Sequence, residues 1–402
     1  MWEEIEALVV QHKAVNLGKG FPNWQAPDFV KEASLQAITG DLNQYTRSMG
    51  HPKLVQTLSS FYSPLLQHEI NPNTEIITTA GAAESLFLAF QALLNPLDEV
   101  ILIEPFFDFY VDQLKLLGVV PVGIPLRVRP ESQPGNRSAA DFVLDYAELE
   151  SLITPRTRII VVNTPHNPTG KMFTREELEK IAAIAVKHDL IVISDEVYEW
   201  MALDGEHIRM ASLPGMWDRT LTIGSAGKTF SVTGWKIGWT FGPADIIEGM
   251  WLAHQRVIFT ICTPLQEAVA TSFQLANEKN YFPEFQALLL RKRNEAVALL
   301  RKAGFDPYVP QGSYMLLVDA SQYELDEQSK AKLGEESVDF LRCKQLIRKH
   351  QIASIPPSVF YTDDHRSLAS NFLRFCFCKT DDVIEAAAVQ FGIIADSQSQ
   401  SQ

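Results

Sequence analysis

Ser225-Ala226-Gly227-Lys228-Thr229-Phe230-Ser231, followed by Thr233-Gly234-Trp235-Lys236, begins where the apolar run Thr220-Leu221-Thr222-Ile223 ends in Gly224. The run reads as a β-strand. Ser225 and Lys228 then stand at its carboxyl end, the edge where open α/β sheets bind ligands. A lysine among small and aromatic neighbours is partly desolvated, so its pKa falls, part of it stays neutral, and a neutral amine forms Schiff bases with carbonyls. Taken alone, Ser225-x-x-Lys228 is a weak signal, because a solvated lysine after a strand fits it equally well. The spacing also matches the nucleophile motif of penicillin-recognising serine enzymes. Those need Lys-Thr-Gly and a Ser-x-Asn or Tyr-x-Asn partner as well, and the chain has none of the three.

Upstream, Leu190-Ile191-Val192-Ile193-Ser194 is a second strand, with Asp195 at its carboxyl end and Tyr198 shortly after. Arg158-Ile159-Ile160-Val161-Val162-Asn163 is a third and ends in Thr164-Pro165-His166-Asn167-Pro168-Thr169-Gly170. Prolines on both sides of Asn167 fix the backbone and aim its amide. Thr174-x-x-Glu177 is a capping box opening a helix to about His188. Glu99-Val100-Ile101-Leu102-Ile103-Glu104 is a strand of the fully buried kind, stopped by Pro105 and followed by Phe106, Phe107, Phe109 and Tyr110. Those aromatics are either core or, in one case, a ring to stack on a flat cofactor.

Further upstream, Glu75-Ile76-Ile77-Thr78-Thr79 runs through Ala80-Gly81-Ala82-Ala83 into an amphipathic helix over 84–94. The unpaired N–H groups at such a helix start suit a phosphate, although a plain tight turn reads the same way. A helix is expected over 27–38, and Tyr45 falls in a loop after it. Val15-Asn16-Leu17-Gly18-Lys19-Gly20-Phe21-Pro22 is a short extended piece whose glycines allow close approach of a ligand or simply a turn. Segment 127–140 reads as an exposed loop. Strands alternating with helices are the pattern of a parallel sheet with crossover helices, and the polar signals all fall just after strands, on one converging edge.

Downstream of Lys236 the pattern is helical over 246–256, 264–276 and 283–303. From Gly304 it changes to short strand-like pieces, Gly312-Ser313-Tyr314-Met315-Leu316-Leu317-Val318, Ile352-Ala353-Ser354-Ile355 and Asn371-Phe372-Leu373-Arg374-Phe375-Cys376-Phe377, which predict a smaller α/β domain. We divide the chain into a large domain over 41–292, a small one from 1–40 and 293–395, and a disordered Ser/Gln tail over 396–402. Segment 326–336 reads as a charged loop. Arg374 points to the opposite strand face from Leu373 and Phe375. It is either a solvent-facing edge residue or a bidentate carboxylate binder.

The totals bound the function. The chain has 402 residues, 46% hydrophobic and 21% charged, with a net charge of −14. That charge argues against nucleic acid and anionic membranes as partners, since both need a basic face. The four cysteines, Cys262, Cys343, Cys376 and Cys378, form no Cys-x-x-Cys pair or metal-spaced cluster and read as core thiols of a reducing compartment. The acidic start Trp2-Glu3-Glu4 is unlike a secretory or transit leader. No apolar run reaches the roughly 20 residues needed to cross a bilayer.

Asn167-Pro168-Thr169-Gly170, Asp195-x-x-Tyr198, Ser225-x-x-Lys228 with Lys236, and Arg374 in an Arg-Phe-x-Phe strand together resemble the fold-type-I, class-I aminotransferases. The agreement runs from Asn16 to Phe377. Leu42-Asn43-Gln44-Tyr45-Thr46, Glu104-Pro105-Phe106-Phe107-Asp108 and Ser212-Leu213-Pro214-Gly215-Met216-Trp217 are most similar to the kynurenine aminotransferase, cysteine-S-conjugate β-lyase and glutamine transaminase K branch.

The resemblance implies pyridoxal 5′-phosphate as cofactor, no metal, and a mostly parallel central sheet plus a smaller α/β domain. It implies that Lys228 carries the cofactor as a Schiff base and serves as general base, that Asp195 pairs with the pyridine nitrogen, and that Asn167 and Tyr198 bind the phenolic oxygen. Phe107 would stack on the ring. Gly81, Ala82, Ala83, Ser225 and Lys236 would hold the phosphate, with Tyr45 reaching in from a second copy in a homodimer. Arg374, Asn167 and Gly20 would take the substrate carboxylate, and Trp2, Tyr45, Phe107 and Phe259 would wall the side-chain pocket.

The expected reaction is transamination of kynurenine and other aromatic or sulfur amino acids with a 2-oxo acid. β-Elimination from cysteine S-conjugates shares the same residues. Thr260 stands where some relatives carry histidine, and no residue evidently binds a distal carboxylate of 2-oxoglutarate. A cofactor-binding regulator would carry a DNA-binding module or a damaged lysine or aspartate, and neither is present. Relatives carry an arm ahead of the position of Trp2. The chain as it stands is expected in the cytoplasm, and a longer form would have room for a mitochondrial presequence.

Overall fold

The computed structural model describes residues 2–399. A central sheet is built from β1 (Ile76–Thr79), β2 (Glu99–Glu104), β3 (Val120–Pro125), β4 (Thr157–Asn163), β5 (Ile191–Asp195), β6 (Thr220–Ser225) and β7 (Gly238–Phe241), in the spatial order β1-β7-β6-β5-β4-β2-β3. β7 is antiparallel to both its neighbours, and the other pairings are parallel.

The apolar runs are continuous because both faces are covered. In β2 and β4, Ile101, Ile103, Ile160 and Val162 pack into one buried cluster, while Val100, Leu102, Ile159 and Val161 pack into the other. That alternation is the two-residue period of a strand with a core on each side. Truncating one such isoleucine to alanine costs about 2–5 kcal/mol.

Register then sets the functional edge. Asn163 pairs with Asp195, Asp195 with Ile223, and Ser225 with Gly238, which in turn pairs with Thr79. The carboxyl ends of β1, β4, β5 and β6 therefore share one side of the sheet. At Gly238 a Cβ would lie 2.6 Å from the carbonyl carbon of Gly81, so glycine is what lets β7 press against the loop after β1.

The second sheet is antiparallel, with β8 (Asp306–Pro307), β9 (Met315–Asp319) and β10 (Phe372–Cys376) in that order. Val15–Asn16 pairs in parallel with Ile352–Ala353, so the two ends of the chain meet there. Helix Trp2–His12 packs on helix Val338–His350, whereas helix Asp28–Thr39 packs on helix Thr263–Ala276 of the large part. The division at residue 292 falls inside the long helix Tyr281–Lys302.

Two expectations need correcting. The exposed loop over 127–140 contains the paired strand Arg127–Val128, matched to Phe142–Val143, and the turn Ala139–Asp141 with its own capping box at Ser138. The charged loop over 326–336 contains the short helix Glu327–Lys330, capped by Asp326. The final helix, Asp381–Ser399, carries its backbone through 396–399 of the tail read as disordered, and 400–402 lie outside the described residues. In the two corrected segments local side-chain caps order a polar stretch that has no hydrophobic period to announce it.

Among the described residues no helix is long and apolar enough to cross a membrane, and no metal-binding cluster is present.

Candidate active site

A cavity of about 310 Å³ opens at the functional edge of the central sheet. Lys228 enters it from the short helix Ala226–Thr229, which begins where β6 ends. Its Nζ donates to the Tyr314 hydroxyl at 2.7 Å and lies 3.5 Å from the Gly20 carbonyl. The Tyr314 hydroxyl in turn donates to that carbonyl at 2.9 Å. Burial pushes the Lys228 pKa down, against the opposing pull of Cys378, Cys376 and Asp195.

Asp195 is buried at the end of β5, where its Oδ2 accepts from the Tyr110 hydroxyl at 2.5 Å. Burial raises its pKa to about 6, with the Tyr110 hydrogen bond as the leading opposing influence. A carboxylate that loses water in this way gains strongly from a cationic neighbour.

Asn163 locks the two adjacent strand ends. Its Nδ2 donates to the Asp195 carbonyl at 2.8 Å, and its Oδ1 accepts from the Asn167 backbone N–H at 2.7 Å. Asn167 is buried, and its Oδ1 has no hydrogen-bond partner. An unpaired buried amide oxygen of this kind is costly unless something in the cavity meets that side chain.

At the other end, Gly81 has φ 77° and starts helix Ala82–Leu93. A Cβ there would stand 3.2 Å from Lys236 Nζ, so the glycine brings that amine beside the open N–H groups of the helix start. Lys236, itself at φ 54°, Ser225, Ala82 and Ala83 line the same end. Such an end suits an anion.

The wall facing the sheet holds Arg374 from β10. Its Nη2 donates to the Gly18 carbonyl at 2.8 Å, and its guanidinium lies 5.0 Å from the Phe360 ring and 5.8 Å from the Trp2 ring. Arg374 is buried, and among the described residues no carboxylate forms a salt bridge with it. Burial lowers its pKa. Phe107 stacks face to face with Phe109 at 4.9 Å, and both line the cavity, as do Trp2, Gly20 and Tyr198.

Of the residues singled out in the sequence, Tyr45 and Phe259 are the two that the structure does not bring to this cavity. Phe259 stands apart from the cavity of its own chain. Its backbone turns back at φ 71°, and its ring packs edge-on against Tyr45 at 5.4 Å on the outside of the molecule. Sequence reasoning missed Tyr314, Tyr110, Asn163 and Asp108. Tyr110 and Asp108 carried a usable signal, since both come shortly after Phe107 at the end of a buried strand. Tyr314 carried none beyond being an aromatic at a strand start.

An anion site at one end, a buried carboxylate at the other, an amine between them and stacked aromatics at the side match an aromatic ring with a phosphate arm and a basic nitrogen. Pyridoxal 5′-phosphate fits the residues present.

The comparisons agree. Residues 12–391 match the family model for aminotransferase class I and II. The chain is 46% identical to the kynurenine–oxoglutarate transaminase of Dictyostelium discoideum, over 96% of this chain and 92% of that protein. The solved structure of Bna3p from Saccharomyces cerevisiae superposes with a TM-score of 0.93 at 34% identity, covering 98% of this chain and 96% of that one. YbdL from Escherichia coli, which has a methionine aminotransferase function, superposes with a TM-score of 0.86 at 29% identity, covering 97% and 96%. Cavity, sheet and relatives lead to one conclusion: the chain belongs to the class I and II aminotransferases, enzymes that work with pyridoxal phosphate.

Proposed function

We propose that the protein moves the amino group of L-kynurenine, and of other aromatic and sulfur amino acids, to a 2-oxo acid. The observation that carries this reading is Arg374, a buried guanidinium without a carboxylate partner, in a cavity shared with the Lys228 amine and walled by Trp2, Phe107 and Phe109. It suits a substrate with an α-carboxylate, an α-amine and a flat apolar side chain. The kynurenine–oxoglutarate transaminase from Dictyostelium and the methionine aminotransferase function of YbdL support the two substrate classes.

When bound, the cofactor supplies an electron sink for the charge left at the substrate's α-carbon. The protein's own residues do the rest. Arg374, with the Gly20 backbone and Asn167, orients the carboxylate. Lys228 Nζ, kept partly neutral by burial, takes the α-proton and returns it. Asp195, held by Tyr110, would keep a proton on the ring nitrogen, and Tyr198 with Asn167 would donate to the phenolic oxygen. Lys236, Ser225 and the Gly81-Ala82-Ala83 backbone would hold the phosphate, and Phe107 would pack on the ring face.

The working unit we propose is a homodimer. Tyr45 is 83% exposed and Phe259 49%, and together they form an aromatic ridge outside their own cavity. Such a ridge suits an interface core, from which Tyr45 would reach the phosphate of the second copy. The four cysteines are free, which supports a reducing compartment such as the cytoplasm.

Mixing the purified protein with pyridoxal phosphate, L-kynurenine and pyruvate tests the reading. Kynurenic acid should accumulate, and the cofactor's visible band should fall when kynurenine is added alone. No oxo-acid product from kynurenine, phenylalanine or methionine would overturn it.

A further inference from the structure

Asp108 is the unexplained group in this cavity. It follows Phe107 in the turn after β2 and lines the cavity. Its Oδ2 accepts from the Trp2 indole N–H at 2.9 Å, while its Oδ1 is buried with no partner. Its charge also reaches Arg374, whose pKa it helps to hold up. The other cavity-lining carboxylate is Asp195, on the sheet side and occupied by Tyr110. The substrate side therefore carries one negative charge, fixed between Trp2 and the Phe107–Phe109 stack.

We propose that Asp108 selects substrates by charge, turning away amino acids and 2-oxo acids that carry a second carboxylate at the far end and favouring side chains that end in an N–H donor. This rests on the transaminase reading above. With its α-carboxylate on Arg374, a substrate projects its side chain along the aromatic wall toward Asp108. A donor there satisfies a buried acceptor. A second carboxylate meets a like charge in a poorly solvated site. A monocarboxylic oxo acid is then preferred over 2-oxoglutarate as the acceptor that regenerates the enzyme.

Glutarate and glutaramate, the same in length and shape but differing in the charge of one end, provide the probe. Binding of each to the pyridoxal phosphate-loaded protein is measured by isothermal titration, which needs no turnover. Glutaramate should bind at least about tenfold more tightly than glutarate. In Asp108→Asn the ratio should narrow by about tenfold, and kcat/KM for 2-oxoglutarate should rise relative to that for pyruvate. Equal affinities in the unmutated protein overturn the proposal without needing the variant. An Asp108→Asn protein that binds both probes more tightly by the same factor also overturns it, because Asp108 would then act only through Arg374. Kynurenine turnover with equal probe affinities sinks the charge filter alone, whereas binding without turnover of any amino acid sinks the transaminase reading.

Discussion

The two walls of the cavity are built in opposite ways. On the sheet side, Asn163, Asp195 and Ser225 end neighbouring strands whose register is set by backbone ladders, and Asn163 ties two of those ends together. On the facing side, the contacts join segments far apart in the chain: Tyr314 to Gly20 across 294 residues and Arg374 to Gly18 across 356. The sheet side holds the groups that do chemistry, and its geometry comes from the backbone. The facing side holds the groups that choose and position the substrate, each placed by one or two side-chain contacts. Changes on the first wall should abolish the reaction, and changes on the second should retune it.

The largest expected effect is on the sheet side. Lys228→Ala should lower kcat/KM by about 10³-fold or more, since it removes the general base. Retention of the cofactor's absorbance would show that the pocket itself survives. Residual activity within tenfold of the parent would break the contrast between the walls.

Asp195 offers a second test without catalysis. Burial raises its pKa in the folded, cofactor-free protein to about 6, above the usual carboxylate range, so the folded state binds the proton more tightly. Stability from that proton is fully present below about pH 4 and is lost as pH rises through 6, a change of about 3 kcal/mol. Urea unfolding across that range should show the decline, and Asp195→Asn should flatten it. A parent profile that rises instead would mean that the burial cost is already offset.

On the facing wall the effects should be smaller, falling on affinity at Arg374 and on turnover at Tyr314, which holds Lys228. Arg374→Lys keeps the charge but loses the planar fork, and should raise KM for amino acids by about fiftyfold while kcat changes less. Tyr314→Phe removes the hydroxyl that holds Lys228, and should lower kcat by about tenfold with the pH profile of kcat displaced. An unshifted profile would reduce Tyr314 to packing.

The same contrast explains what could be read from the chain before folding. Strand ends announce themselves, because an apolar run that stops at Ser225, Asp195 or Asn163 marks both an element and an edge. Thr174-x-x-Glu177 was equally plain, and its reciprocal cap is present. Tyr314 was not visible as a site residue, and Asp108 and Tyr110 only through their nearness to Phe107. Their roles come from tertiary proximity, which no local period encodes. The aromatic character of Phe259 was evident in the sequence, but the left-handed turn that swings it outward was not. The helix at Glu327–Lys330 went unread because its order comes from the Asp326 cap, not from burial.

The pairing of Val15–Asn16 with Ile352–Ala353 has a consequence for how the molecule is made. A ribosome releases the whole central sheet before the strand bearing Arg374 has emerged, and domains settle in the order in which they are synthesised. The growing polypeptide can thus assemble its cofactor pole while the amino-terminal segment waits, unclasped, for a partner strand still inside the exit tunnel. Capacity to hold the vitamin derivative should precede competence for amino acids during biosynthesis, and a messenger truncated late would yield a protein that sequesters the one without processing the other.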